Sequence, residues 1–303
     1  MKILCTIALV AFVACKAEAD KKAGPEAPPA KPPAPVPSKP APLPPPPPPS
    51  GVKPAPNVED VLKAQLEAVK NWSDGDRMNT TFAPSAIVLF TNGEHPVSEG
   101  SVASRLALLT PQSSVQAATF DHVTSGHNAD VAWVSADLHF TVREGSKTAK
   151  RTIRAIELLD RASDWKVVVA SFTNVDKLSE IGSSPIKDAT PPDALTKLLV
   201  APDALAAALD PNAVVLGSDL GERGEGAANA KKLLGTWQKL QLTLDADQKT
   251  REVHTATYGY AMANVQLTPS KGGSELAMNA FVLALPGANG SWSVVAAAYG
   301  ATF

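Results

Sequence analysis

The stretch Phe82-Ala83-Pro84-Ser85-Ala86-Ile87-Val88-Leu89 returns further down the chain as Leu209-Asp210-Pro211-Asn212-Ala213-Val214-Val215-Leu216. Proline, alanine and the apolar run keep their places, at an offset of 127 residues (211 − 84). Trp165 and Trp292 stand 127 residues apart, and Gly100 and Gly226, each opening an amphipathic run, stand 126 apart. An offset the size of a small domain points to a duplicated fold rather than a short solenoid repeat. Each copy starts with a helical pattern. In the first, Val58, Val61, Leu62, Leu66 and Val69 form a stripe at three- and four-residue steps, with Asn57 as N-cap.

The elements then follow in one order. Phe82–Ser85 reads as a turn, Ala86–Phe90 as a strand and Gly100–Leu109 as a helix. Asp130–Val142 is a strand that alternates Ala132, Val134, Ala136, Leu138 and Phe140 against Trp133, Ser135, Asp137 and His139. Arg151–Leu159 and Trp165–Phe172 are two further strands. In the second copy Asp193–Leu209 is read as helix, 213–216 as strand, 221–226 as a flexible glycine-rich turn and 227–234 as helix. Strands near 255–267, 275–285 and 292–299 complete it. Helices followed by long antiparallel strands make an α+β class. The expected boundaries are 57–175 and 193–303, with 176–192 as linker.

Ahead of these lie a leader and a tether. Lys2 followed by apolar Ile3–Ala14 has signal-peptide form and is too short to span a bilayer. Its end, Phe12-Val13-Ala14-Cys15, resembles the lipobox of bacterial lipoproteins, although Phe12 stands where that motif prefers leucine. The resemblance implies removal of 1–14, acylation (palmitate) of Cys15 and a lipid anchor in the bacterial cell envelope, at the periplasmic face of the outer membrane. The alternative is an ordinary secretory signal cut near Ala17 or Ala19. Most of the 27 prolines lie before Asn57, including the six of Pro44–Pro49, so 15–56 reads as a disordered, polyproline-II tether. The chain has two cysteines, Cys5 and Cys15, and the folded part has none. Disulfides, thiolate metal sites and cysteine nucleophiles are thereby excluded there. A net charge of −2 with 5% aromatics gives no basic field for nucleic acid.

Phe82-Ala83-Pro84-Ser85-Ala86, the glycine-led run after it, Asp130-Val131-Ala132-Trp133-Val134 and Trp165-Lys166-Val167-Val168-Val169 together resemble the NTF2-like superfamily, its SnoaL-like group above all. The resemblance covers 58–175, and 193–303 mostly by spacing. It implies a cone: a curved antiparallel sheet wrapped on helices, open at one end. Family members include isomerases, cyclases, dehydratases and non-catalytic binding or assembly domains, so fold alone does not choose among them. Many carry a histidine six residues after the tryptophan of the last strand. Ser171 and Ala298 occupy those positions, so both copies lack that base.

Asp137 and His139, at i and i+2 on one strand, form the remaining acid–base pair. With the apolar row as core, both are expected to be solvated. Arg105, Arg151 and Arg154 could meet an anion at a pocket mouth but read more simply as surface charges. Trp133, Arg154 and Ser171 form the candidate ligand-binding set. His95 reads as a surface loop residue, His122 and His127 as flanking a turn, and His254 as isolated; none suggests a metal, and no cofactor is implied. Gly221-Glu222-Arg223-Gly224-Glu225-Gly226 lacks the ending of a phosphate loop. The favoured function is a lipid-anchored, non-catalytic module binding a small apolar molecule or an envelope protein. Its copies would pack through their sheets as an intramolecular pseudo-dimer. The alternatives are an isomerase, hydratase or cyclase using Asp137 and His139, and a structural envelope subunit.

Overall fold

Proline has no N–H to give a strand ladder, so Pro84 and Pro211 mark where pairing must break. The computed structural model, which describes residues 53–70, 80–90, 94–97, 113–175, 190–238, 240–244, 250–269 and 275–301, shows that break in both places. Strand β1 (Phe82–Phe90) runs parallel to β6 (Lys166–Asn174), pairing Phe82 with Val167 and then, after a bulge, Ile87 with Val169. Strand β7 (Leu209–Leu216) pairs in the same way with β13 (Trp292–Ala301), Leu209 with Val294 and then Val214 with Ala296. All four partners shift by 127 residues. The expected turn at Phe82–Ser85 is therefore an irregular start to the strand itself.

The first sheet is completed by β2 (Glu94–Val97), β3 (Ser113–His127), β4 (Val131–Glu144) and β5 (Lys147–Asp160), in the order β2-β1-β6-β5-β4-β3. The second uses β8 (Arg223–Glu225), β10 (Thr250–His254), β11 (Gly259–Pro269) and β12 (Leu276–Pro286) in the corresponding order, β8-β7-β13-β12-β11-β10. An additional strand, β9 (Leu240–Leu244), pairs with β11. The sequence reading missed β3 and β10, which do not alternate cleanly, and β9, whose Leu-Gln-Leu-Thr-Leu alternates over only five residues. His122 and His127, expected beside a turn, lie in β3. The glycine-rich segment is also not merely a turn, since 223–225 is strand β8.

Four helices cover the sheets among the described elements: α1 (Val58–Lys70), α2 (Ala194–Leu199), α3 (Pro202–Ala207) and α4 (Gly226–Trp237). One helix was expected over 193–209; it breaks before Pro202, which cannot continue a helix interior but suits a first turn. The leader, Cys15, the tether up to residue 52, Arg105 and the helix expected over 100–109 lie outside the described residues. The last tether residues, 53–56, are described, and Lys53 is not free, since it pairs with Asp164 at 2.6 Å and its carbonyl accepts from Trp165 Nε1 at 3.2 Å. Residues 53–303 form one compact unit. No helix among the described residues is long and apolar enough to cross a membrane.

Each sheet buries both faces. On β4, Ala132, Val134, Ala136 and Leu138 share a face with Glu157 of β5, whose carboxylate accepts a hydrogen bond from Gln65 Nε2 of α1 at 2.9 Å. The other face, from Trp133 to Asp137, packs into a core that also contains Val214, Leu216, Tyr260, Met262, Phe281, Leu283 and Ala298 of the second sheet. The second sheet's remaining side packs on Leu195, Leu199, Leu205, Leu234 and Trp237 of α2–α4. Asp137, expected to be solvated, is 2% exposed, and Arg154, expected at the surface, is 1% exposed. Alternation tells which side chains share a face, but not what covers it.

Candidate functional site at the seam between the sheets

A buried carboxylate is costly unless it is paired, and Asp137 receives two cations. Arg223 Nη1 of β8 donates to Asp137 Oδ1 at 2.6 Å, and Arg154 Nε of β5, directly opposite on the ladder, stands 3.7 Å from the same oxygen. Arg154 then reaches beyond its own sheet. Its Nη1 donates to the carbonyls of Gly217 and Asp219 at 2.9 Å and of Glu222 at 3.2 Å, and its Nη2 donates to Leu220 O. One guanidinium thus holds the loop between β7 and β8 by its backbone. Burial pushes the Arg154 pKa down, an effect opposed by Asp137 and reinforced by Arg223. Arg223 Nε also donates to Glu225, and its Nη2 donates to the carbonyl of His122.

Above this buried network a cavity of about 520 Å³ opens, lined by Asp121, His122, Asp137, His139, Leu220, Arg223, Glu225 and Asn229. Strands β3 and β4 supply one wall; the β7–β8 loop, β8 and α4 supply the other. Asp121 sits opposite Asp137 on the ladder, and a bulge follows it before Thr124 pairs with Ser135. His122 occupies that bulge at φ 49°, the left-handed region, and lines the same cavity as its neighbour Asp121, which a regular strand would forbid.

The structure separates the acid–base pair read from sequence. Asp137 and His139 line the same cavity, but the carboxylate against the His139 imidazole is Asp121, with Oδ1 2.9 Å from Nε2. His139 Nδ1 lies 3.1 Å from Thr152 Oγ1. Trp133, Arg154 and Ser171 do share one face, the face toward the second sheet, but none of them lines the cavity. Trp133 is buried over Gly126, and Ser171 Oγ is buried with no hydrogen-bond partner. Sequence reasoning missed Asp121 and Arg223. Asp121 lies in an unrecognised strand; Arg223 lies in a segment whose glycines suggested a loop, and only the Glu-Arg-Gly-Glu charge alternation hinted at pairing.

The second histidine of interest is structural. His254 Nε2 lies 2.7 Å from Glu252 Oε1, and Glu252 in turn accepts the backbone N–H groups of Asp193, Leu195 and Thr196 and the Thr196 hydroxyl. These are the orphan donors at the start of α2, so Glu252 caps that helix from another strand. Burial alone would raise its pKa, but the hydrogen bonds from Thr196, Leu195 and His254 bring it below the ordinary value.

No family model matches the sequence, and no curated protein does. Among solved structures, an NTF2-like protein from Cytophaga hutchinsonii is 18% identical, with 39% of this chain and 95% of that chain covered at TM-score 0.32. A ketosteroid isomerase-like protein from Erwinia carotovora atroseptica is 14% identical, with 40% and 95% covered at TM-score 0.33. An NTF2-like protein of unknown function in nutrient uptake from Rhodospirillum rubrum is 12% identical, with 39% and 94% covered at TM-score 0.31.

Proposed function

We propose that the chain is a tandem of two NTF2-like domains, of the SnoaL-like kind, that binds rather than catalyses, held to a bacterial envelope membrane by an acylated Cys15 and a proline-rich tether. Its halves act as an intramolecular pseudo-dimer, and its ligand enters the cavity at the seam. The observation that carries this reading is that polar side chains from both halves converge on one cavity of about 520 Å³. The lining argues for a polar ligand rather than the apolar one suggested by sequence. Asp137, one half of the expected acid–base pair, has its oxygen occupied by Arg223, so it is poorly placed to take a substrate proton.

Native mass spectrometry of the full-length chain, purified gently from a bacterial envelope, tests this. A monomer with an added mass that disappears on denaturation, and is reduced in Asn229→Trp, supports the reading. A ligand retained in that variant removes the seam from it, and a dimer mass removes the pseudo-dimer. One contact favours a second reading, an isomerase, hydratase or cyclase: the Asp121 carboxylate orients the His139 imidazole as a base would be oriented. Turnover abolished by His139→Gln with ligand affinity unchanged would select it.

A further inference from the structure

Two imidazoles and two carboxylates line the open end of the seam. Ligand atoms of Asp121, His122 and Asp137 lie within 4.8 Å of one another. Asp121 Oδ1 stands between two rings, 2.9 Å from His139 Nε2 and 4.0 Å from His122 Nε2. Donors bound tetrahedrally at zinc distances stand about 3.3 Å apart, and these two separations bracket that value. The side chains of Asp121 and His122 are 57% and 58% exposed, so both can turn toward an ion without disturbing the core.

We propose that this cluster is a binding site for a divalent transition-metal ion of the zinc class, with Asp121, His122 and His139 as ligands and Asp137 behind them. The proposal rests on the reading of the seam cavity as a binding site. Mixed imidazole and carboxylate donors suit zinc and its neighbours rather than calcium or magnesium, which prefer all-oxygen sets. Three features fit the role. The bulge at His122 turns two consecutive residues into one cavity. Thr152 Oγ1, 3.1 Å from His139 Nδ1, fixes that ring so that Nε2 can present its lone pair, the outer-shell arrangement of metal-bound histidines. The charges balance in favour of a cation, since three carboxylates (Asp121, Asp137, Glu225) face two guanidinium groups (Arg154, Arg223). Arg223 already holds Asp137 and Glu225, which leaves Asp121 as the carboxylate ligand and a further position open to water or an organic ligand.

Metal-stripped full-length protein titrated with Zn²⁺ by calorimetry, and with Co²⁺ by visible absorption, tests this. The expected result is one ion per chain and a cobalt spectrum of low-symmetry, four- or five-coordinate form. His122→Ala, His139→Ala and Asp121→Asn should each weaken binding at least tenfold while leaving the melting curve in place. His254→Ala, in the cap of α2, should leave binding unchanged. Absence of binding, or binding that survives all three substitutions or follows His254, overturns the proposal. An organic adduct retained by protein that binds no zinc would sink the metal alone and leave the seam as a binding site.

Discussion

Among the described residues, Glu157 is the clearest pH-dependent liability. Its side chain is wholly buried between β5 and α1; Gln65 donates to one oxygen, while the other has no hydrogen-bond partner. Burial raises its pKa from 4.5 to about 7, and the Gln65 bond offsets only part of that rise. Below about pH 4.5 folded and unfolded chains both carry the proton and nothing is lost. As pH climbs from there to about 7, the unfolded chain ionises while the folded one does not, so stability falls steadily. Above that range the loss stays at its full size. A tenfold change in an ionisation constant is worth about 1.4 kcal/mol, so the whole effect is about 3 kcal/mol. Glu157→Gln keeps an acceptor for Gln65 and removes the ionisation. Urea unfolding of both proteins by tryptophan fluorescence at pH 4.5, 6 and 8 measures the difference. The variant should gain about 3 kcal/mol on the wild type between the first and last pH, most of it between pH 5 and 7. A gap that does not change with pH, or one that closes as pH rises, would refute the argument.

Arg154→Leu strips the donor from four loop carbonyls and half the counter-charge from Asp137, at a cost of about 3–5 kcal/mol. Hydrogen exchange should speed up at 217–222 before it does in β5; equal acceleration of both would deny the loop's dependence on this one side chain. Glu252→Gln uncaps α2 and should cost about 1–2 kcal/mol at neutral pH. Because the Glu252 pKa is depressed, the wild-type advantage should fade as pH falls through its folded-state value, and an advantage that grows in acid would contradict the cap. A Cβ at Gly126 would lie 2.7 Å from Trp133 Nε1, and that ring is buried, so Gly126→Val should cost about 1–3 kcal/mol and change the tryptophan fluorescence. A neutral result would mean that Trp133 has room to move.

What the chain made legible was what depends on spacing. The recurrence around Pro84 and Pro211 maps onto equal strand pairings, and the stripe Val58, Leu62, Leu66 and Val69 is the buried side of α1. The alternation in β4 sorted its side chains into two rows correctly, yet placed Asp137 in solvent. A sheet covered on one face by a helix and on the other by a second sheet buries both rows, and nothing local records the second cover. The same limit hid the site. Asp121 and Arg223 are 102 residues apart and meet only because the sheets stack. Strand β3, which carries Asp121 and His122, is largely exposed along its length and so shows no apolar alternation to read.

The strand registers also show how two sheets of like strand order differ at the site. Ser135 pairs with Ile156, which pairs with Ser171; Met262 pairs with Phe281, which pairs with Ala298. Ser171 and Ala298 hold the same position relative to β1 and β7, so the ladders can be laid over one another. In that overlay the pair Asp137–Arg154 falls on Asn264–Asn279, His139–Thr152 on Gln266–Ala277, and Glu157 on Val282. At these positions the second sheet has neutral side chains where the first has ionisable ones. The first sheet's charges find their partners in the segment before and within β8: backbone carbonyls for Arg154, and Arg223 for Asp137. Because a buried charge is costly without a partner, the ionisable groups of the first sheet depend on the segment from Gly217 to Arg223 for theirs, and the polar cavity sits where that segment meets β3 and β4.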